Sequence, residues 1–491
     1  MAQPLKSAAA ILAALTGLRL MLAATLPLAP DEAYYWTWSQ ALAPGYTDHP
    51  GMVALWIRAG TMAWGDTPLG VRLLGPLAML LETWMLADAA ERLMPGRRAG
   101  LMAGALWNAM PLVGAGAMIM TPDAPLLFFW CATLWALARL ASGGAAGWWL
   151  VTGISAGLAL TSKYTGAFLW VGIAIWLLAT PPGRAWLRRP APWCGAVLGG
   201  AVVLPNILWN AEHHWATILR QGGRVADWRP ERAVTYLAEL FGGQIGLASP
   251  GIWLLCVVGL IQCIRGWKAP NNVLLLSLSV PALVVFTEHA LGDRVQGNWP
   301  AITYPAAICA VAALTQPRWR RLLWPSVGLG FAMTALVCLH AATEWLPIGA
   351  DRDPAARQLA GWDAFAHQVD AIRRQEAADY AIAEEYATIA ELAWGAPAGM
   401  TVLGLDARLD TMSLRTRPLG GRRGILIRAE HRGTEIDPTR WTDAQPLGFI
   451  ERTGTRGIVE RYRVWRVDGT GIAAQLPHRR VSLANQSVRF M

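Results

Sequence analysis

The segment from Asp31 to Pro50 reads DEAYYWTWSQALAPGYTDHP and concentrates groups that can do chemistry. Asp31, Tyr34, Tyr35 and Trp38 recur at i, i+3, i+4 and i+7, so on a helix they share one face. Pro30 can open that helix, and Asp31 and Glu32 suit its positive N-terminal end. A carboxylate held there can take a proton from an attacking hydroxyl. The plainer reading is an aromatic belt at lipid-headgroup level with an aspartate capping the helix. A second titratable pair, Asp48-His49 before Pro50, closes the same segment and moves the balance toward chemistry.

Four more motifs carry polar groups beside apolar runs. Met120-Thr-Pro-Asp-Ala-Pro125 puts Asp123 near a membrane boundary, where it either caps the next helix or serves a function. Thr161-Ser-Lys-Tyr-Thr-Gly166 holds Lys163, one of only three lysines beside 39 arginines. A lysine there can snorkel to the interface. A lysine among hydroxyls near helix ends, with Tyr164 next to it, suits a phosphate better. Pro205-Asn-Ile-Leu-Trp-Asn-Ala-Glu-His-His-Trp215 leads to Arg220, Gln221 and Arg224 and reads equally as an amphipathic surface helix or as a source of cationic and hydrogen-bonding groups for a lipid monophosphate. Glu288-His289 runs through Asp293-Arg294 to Asn298-Trp299-Pro300. The histidines at 49, 213, 214 and 289 invite a metal, but their spacing is diagnostic of none.

Apolar segments must position these groups. Of the 491 residues, 54% are hydrophobic and only 15% charged, with mean hydropathy +0.32. Soluble domains carry roughly 25% charged residues, so the chain reads as a membrane protein. Apolar windows near 8–28, 69–90, 99–119, 124–141, 148–162, 165–181, 191–210, 242–264, 271–288, 300–315 and 323–342 predict about eleven spans. The first is expected to be a retained span rather than a cleaved leader, because ten more follow it. Residues 1–342 form the transmembrane domain in this reading, and 343–491 a soluble α/β domain.

Charge sets the direction. Residues 1–342 hold 22 basic and 14 acidic residues, and the tail holds 20 and 19, so nearly all of the net charge of +9 belongs to membrane loops and not to a nucleic-acid surface. Lys6, then Arg92, Arg97 and Arg98, then Arg184, Arg188 and Arg189, then Arg265 and Lys268, then Arg318, Arg320 and Arg321 all fall on the N-terminal face, which the positive-inside rule makes cytoplasmic. The motifs above fall on the opposite, periplasmic face, and the tail follows there. All six cysteines lie in apolar segments, which implies no disulfide framework.

DEAYYWTWSQ, GYTDHPG, MTPDAPLLFFW, TSKYTG, PNILWNAEHHW and GNWP resemble, in order over about residues 10–300, the bacterial membrane glycosyltransferases of the GT-C superfamily. The branch is that of the protein O-mannosyltransferases and the lipid A aminoarabinose transferase. The resemblance implies a polytopic inner-membrane enzyme that inverts and uses a polyprenyl monophosphate sugar as donor. It implies Asp31 as general base, with Asp123 and Asp48 as further catalytic carboxylates. It puts Lys163 and Arg220 or Arg224 on the donor phosphate. Glu32, Tyr34, Tyr35, His49, Tyr164, Glu288 and His289 are then expected around the substrates. Family members differ in metal dependence, which leaves Asp48, His49 and Asp123 as candidate ligands for a divalent metal. Gly51 stands where relatives often have a second proline, and some relatives have lysine at the position of His49.

The tail predicts a helix at 364–373 and strands at 380–384, 400–405, 424–428 and 462–467, with a Gly/Arg-rich connection at 415–424. The expected acceptor is lipid A, a lipopolysaccharide core or another lipid or glycan. A protein acceptor is the alternative within the same chemistry. A flippase is the rival class, but transporters place their polar site at the midplane between repeated halves. Here the ionisable groups crowd one boundary and no internal repeat is visible.

Overall fold

The computed structural model describes residues 2–95, 98–223, 228–314, 316–470 and 472–477. Arg97, Arg224 and Asp227 lie outside the described residues. Helices dominate as far as Thr343, and a sheet follows. Prolines open many of the helices, among them those starting at Pro30, Pro68, Pro190, Pro250 and Pro270. At that position the missing N–H would have had no helical partner anyway.

Among the described residues, six helices are long and apolar enough to cross a membrane: Ser7–Thr25, Pro68–Leu93, Asp123–Ala141, Pro190–Glu212, Pro270–His289 and Pro317–Thr343. Three bent pairs raise the number to nine when each counts as one span: Ala99–Ala109 with Pro111–Met118, Tyr164–Ala179 with Pro181–Leu187, and Pro230–Ala248 with Pro250–Arg265. The protein is a polytopic helical membrane protein. Each of the eleven expected windows contains helix among the described residues, but Trp148–Ser162 and Trp299–Val311 are short. The 15 residues of Trp148–Ser162 reach about 22 Å, against a hydrocarbon core of ~30 Å. Helix length therefore supports six to nine crossings.

The chain forms two compact units. The first comprises Met1–Met21, Asp48–Val53 and Leu74–Val337, and the second Leu22–Thr47, Ala54–Leu73 and Cys338–Met491. In the first, Trp107, Trp130, Leu134, Leu255 and Ile308 belong to one continuous apolar core. Trp148–Ser162 and Pro190–Glu212 pack there through Gly153 and Gly157 on one helix and Gly195 and Gly199 on the other. A Cβ on Gly153 would stand 1.8 Å from the Gly195 carbonyl oxygen, so only glycine permits this crossing. The contact anchors the helix whose C-terminal cap is Lys163.

In the second unit a seven-stranded sheet is built from β1 (Tyr380–Ala383), β2 (Val402–Gly404), β3 (Arg415–Pro418), β4 (Arg423–Ala429), β5 (Trp441–Gly454), β6 (Gly457–Gly469) and β7 (Ala473–Leu476), in the order β3-β7-β2-β1-β4-β6-β5. β1 runs parallel to β2 and β4, and β6 lies antiparallel between β4 and β5. Trp362–Gln375 contains the expected helix and buries Phe365 and Val369, the Phe365 ring lying 4.4 Å from that of Tyr462. The four expected strands overlap β1, β2, β4 and β6. Part of 415–424, read as a connection, is the strand β3. Its RTRP has no apolar face, and only its distant pairing with β7 makes it a strand.

Candidate functional site

In the second unit, Asp31 opens the helix Pro30–Ser39 and is exposed, while every residue from Glu32 to Ser39 is buried. The aromatic residues are thus inside the protein and not a belt facing headgroups. Trp38 stacks on Tyr46 at 4.1 Å, and Tyr34 meets the edges of Trp38 and Tyr386 at 5.0 and 4.8 Å. Tyr35 packs against Trp38 at 4.9 Å. The Tyr46 hydroxyl holds the segment's return, donating to the carbonyls of Trp38 and Ala41 and accepting from the Ala43 N–H.

Glu32 points inward. Its carboxylate accepts from the Ala29 N–H at 3.0 Å, fixing the helix start, and takes both Nε and Nη2 of Arg72 at 2.7 and 2.5 Å. The other Arg72 donors reach the carbonyls of Ala23, Leu26 and Pro27. Glu32 therefore braces the helix that presents Asp31. The Asp31 carboxylate accepts a hydrogen bond from the Tyr386 hydroxyl at 3.0 Å. The Arg408 guanidinium lies 3.9 Å above the Tyr386 ring. Burial, together with the negative Asp31 beside it, pushes the Tyr386 phenol well above its usual range.

The first unit holds the remaining charged candidates. Asp123 starts its helix and accepts from Lys163 Nζ at 2.8 and 3.0 Å and from Asn298 Nδ2 at 2.6 Å. The Lys163 and Asp123 side chains are 9% and 13% exposed. Tyr164 donates to Asn206 Oδ1 and accepts from Asn210 Nδ2, both at 3.0 Å, which ties the turn after Lys163 to Pro190–Glu212. Asp48 is buried, with Arg220 Nε on its carboxylate at 2.5 Å and the Gln221 amide on its carbonyl oxygen. A guanidinium bound through Nε keeps its Nη donors for another anion, and an ammonium has three donors. Both cations therefore stand oriented by a carboxylate, with donor capacity left over for a further acceptor.

His49 is half-buried. Glu288 is exposed, and His289 faces Asp293 at 3.7 Å and Trp299 at 5.7 Å. Among the described residues, no three of His, Cys, Asp and Glu group so as to hold a metal ion, and Asp48, His49 and Asp123 do not assemble as a donor set. Asp48 and Asp123 each pair with a cation instead. Sequence reading missed Arg72, Tyr386 and Arg408. Tyr386 lies 355 positions beyond Asp31, and no local spacing relates them.

Residues 48–209 match the family model of dolichyl-phosphate-mannose-protein mannosyltransferases. The lipid A galacturonosyltransferase RgtD of Rhizobium johnstonii is 29% identical over 368 residues, covering 74% of this chain and 76% of its own. The fold matches ArnT from Cupriavidus metallidurans bound to undecaprenyl phosphate, with a TM-score of 0.64 at 16% identity over 94% of this chain and 98% of that one. The apo state of the same protein matches equally well, with TM-score 0.64 at 15% identity over the same shares. These likenesses speak to the fold.

Proposed function

We propose that this chain is a membrane glycosyltransferase of the GT-C type, in the branch of the protein mannosyltransferases and the aminoarabinose transferase. It moves one sugar from a polyprenyl monophosphate to lipid A or a related envelope glycolipid, at the periplasmic face of the inner membrane and with inversion. The observation that carries this reading is the 368-residue similarity to a lipid A galacturonosyltransferase, and galacturonic acid is the first sugar to test.

In this mechanism a hydroxyl oxygen of the acceptor attacks the anomeric carbon while Asp31 takes its proton. The anomeric C–O bond to phosphate breaks from the opposite side, and the lipid leaves as its monophosphate. A phosphate is a good leaving group that needs cations rather than an acid, which suits Lys163 and Arg220. Asp123 and Asp48 hold those two cations in place. One carboxylate as base beside a lipid phosphate differs from hydrolases, which flank the bond with two carboxyl groups.

A second reading, transfer to protein hydroxyls, draws on the description of the family model over 48–209. Mass spectrometry of lipid A and of envelope proteins from cells with and without the gene separates the two. Loss of one sugar from lipid A, restored by the wild type and not by Asp31→Asn, is the expected result. Full restoration by D31N would remove Asp31 as base. A reporter fused after residue 343 is expected to be active only outside the cytoplasm; activity inside would reverse the assigned face.

A further inference from the structure

We infer that Tyr386, supported by Arg408, is a positioning residue for the Asp31 base, so that the C-terminal part of the chain orients that base. The inference rests on the reading of Asp31 given above. Its observations are geometric. The Tyr386 hydroxyl lies 3.0 Å from Asp31 Oδ1 and donates to it. Tyr386 is fixed on both sides: its ring edge meets Tyr34, one turn along the helix that Asp31 opens, and its backbone N–H donates to Asp406 at 2.8 Å. Asp406 also accepts from the Arg408 N–H at 2.9 Å, which holds the short turn Ala407–Leu409. The same turn is fastened to the catalytic segment, because Thr47 Oγ1 reaches the Arg408 carbonyl at 3.4 Å and Thr411 Oγ1 at 2.9 Å.

The chemistry follows from what the bond does to a base. A hydroxyl donor on a carboxylate stabilises the ionised form and lowers its pKa, and a nearby guanidinium acts in the same sense. Asp31 is exposed, and nothing in burial fixes its rotamer. A donor from a rigid neighbouring element supplies that orientation, and a misplaced base loses rate more than binding. Tyr386 stays protonated throughout, because its phenol is pushed upward, so it remains a donor at every working pH. No proton passes through it. The proton taken by Asp31 goes to solvent after product leaves.

The test uses the full-length protein in liposomes, with polyprenyl-phosphate galacturonic acid as donor and lipid A as acceptor, and reads kcat and KM against pH. Tyr386→Phe keeps the ring contacts and removes only the donor. It should lower kcat about tenfold with KM for the acceptor little changed. It should also move the acidic limb of the kcat/KM profile up by about one pH unit. Arg408→Gln should move the limb the same way by less. Thermal stability of each variant is measured alongside. A Y386F enzyme with wild-type kcat and an unmoved limb overturns the proposal, as does a loss of kcat explained by lower stability with the limb in place. An active D31N enzyme overturns instead the reading of Asp31 on which it stands.

Discussion

Two ion pairs in this protein look alike on paper and differ in what surrounds them. Arg72 and Glu32 are 2% and 0% exposed, and the guanidinium is saturated by the carboxylate and three carbonyls. Lys163 is buried and Asp123 half-buried, and the carboxylate is shared with Asn298. A saturated pair has no capacity for a ligand and can only hold structure. A pair whose ammonium bonds a single carboxylate keeps a cation near a helix end with donor capacity to offer. Saturation, more than charge, separates the brace from the candidate phosphate site.

Replacing Arg72 by Leu should test the brace most severely. It leaves Glu32 buried and uncompensated, at a cost of about 3–5 kcal/mol. Poor yield and a markedly lower Tm in detergent are expected, with partial recovery on adding Glu32→Gln. Lys163→Ala should do the reverse: transfer falls by about 10²–10³, binding of undecaprenyl phosphate weakens, and thermal stability changes less than in R72L. Equal destabilisation by the two would dissolve the distinction.

A third test concerns Glu391, buried in the helix Tyr386–Gly395. Burial pushes its carboxyl well above the usual range against the pull of Arg452, with Glu32 adding to the rise and Arg72 opposing it. The folded protein therefore keeps a proton that the unfolded chain releases above about pH 4.5. The stability this group contributes is full below that pH and declines as pH rises toward the folded pKa. The decline is at most about 1.4 kcal/mol per pH unit. Tm measured from pH 5 to 8 should fall more steeply in the wild type than in Glu391→Gln; parallel curves would show that the carboxyl does not titrate this way. The smallest effect is expected from Tyr46→Phe. It removes hydrogen bonds that close the Asp31 segment and should cost about 1–2 kcal/mol, seen as a small drop in Tm.

Much of the candidate site was legible because its motifs are local. Asp31 beside Pro30, Asp123 at a helix start and Lys163 at a helix end are all written in a few neighbouring residues. The contacts of Asn206 and Asn210 with Tyr164, in contrast, join separate segments and came only from the structure. Glu32 shows where local reading stops. The resemblance put it among the substrate contacts; in the structure its carboxylate is taken by Arg72, forty positions away.

Composition and periodicity determined by themselves that this is a helical membrane protein with a polar α/β tail, because hydropathy windows and apolar patterning are properties of consecutive residues. Only the tertiary structure decided which charges are spent on holding the fold and which stay accessible. It alone made RTRP a strand, paired Lys163 with Asp123, and brought the Tyr386 hydroxyl to Asp31. Those outcomes depend on contacts between residues tens to hundreds of positions apart, and no spacing in the chain encodes the distance between them.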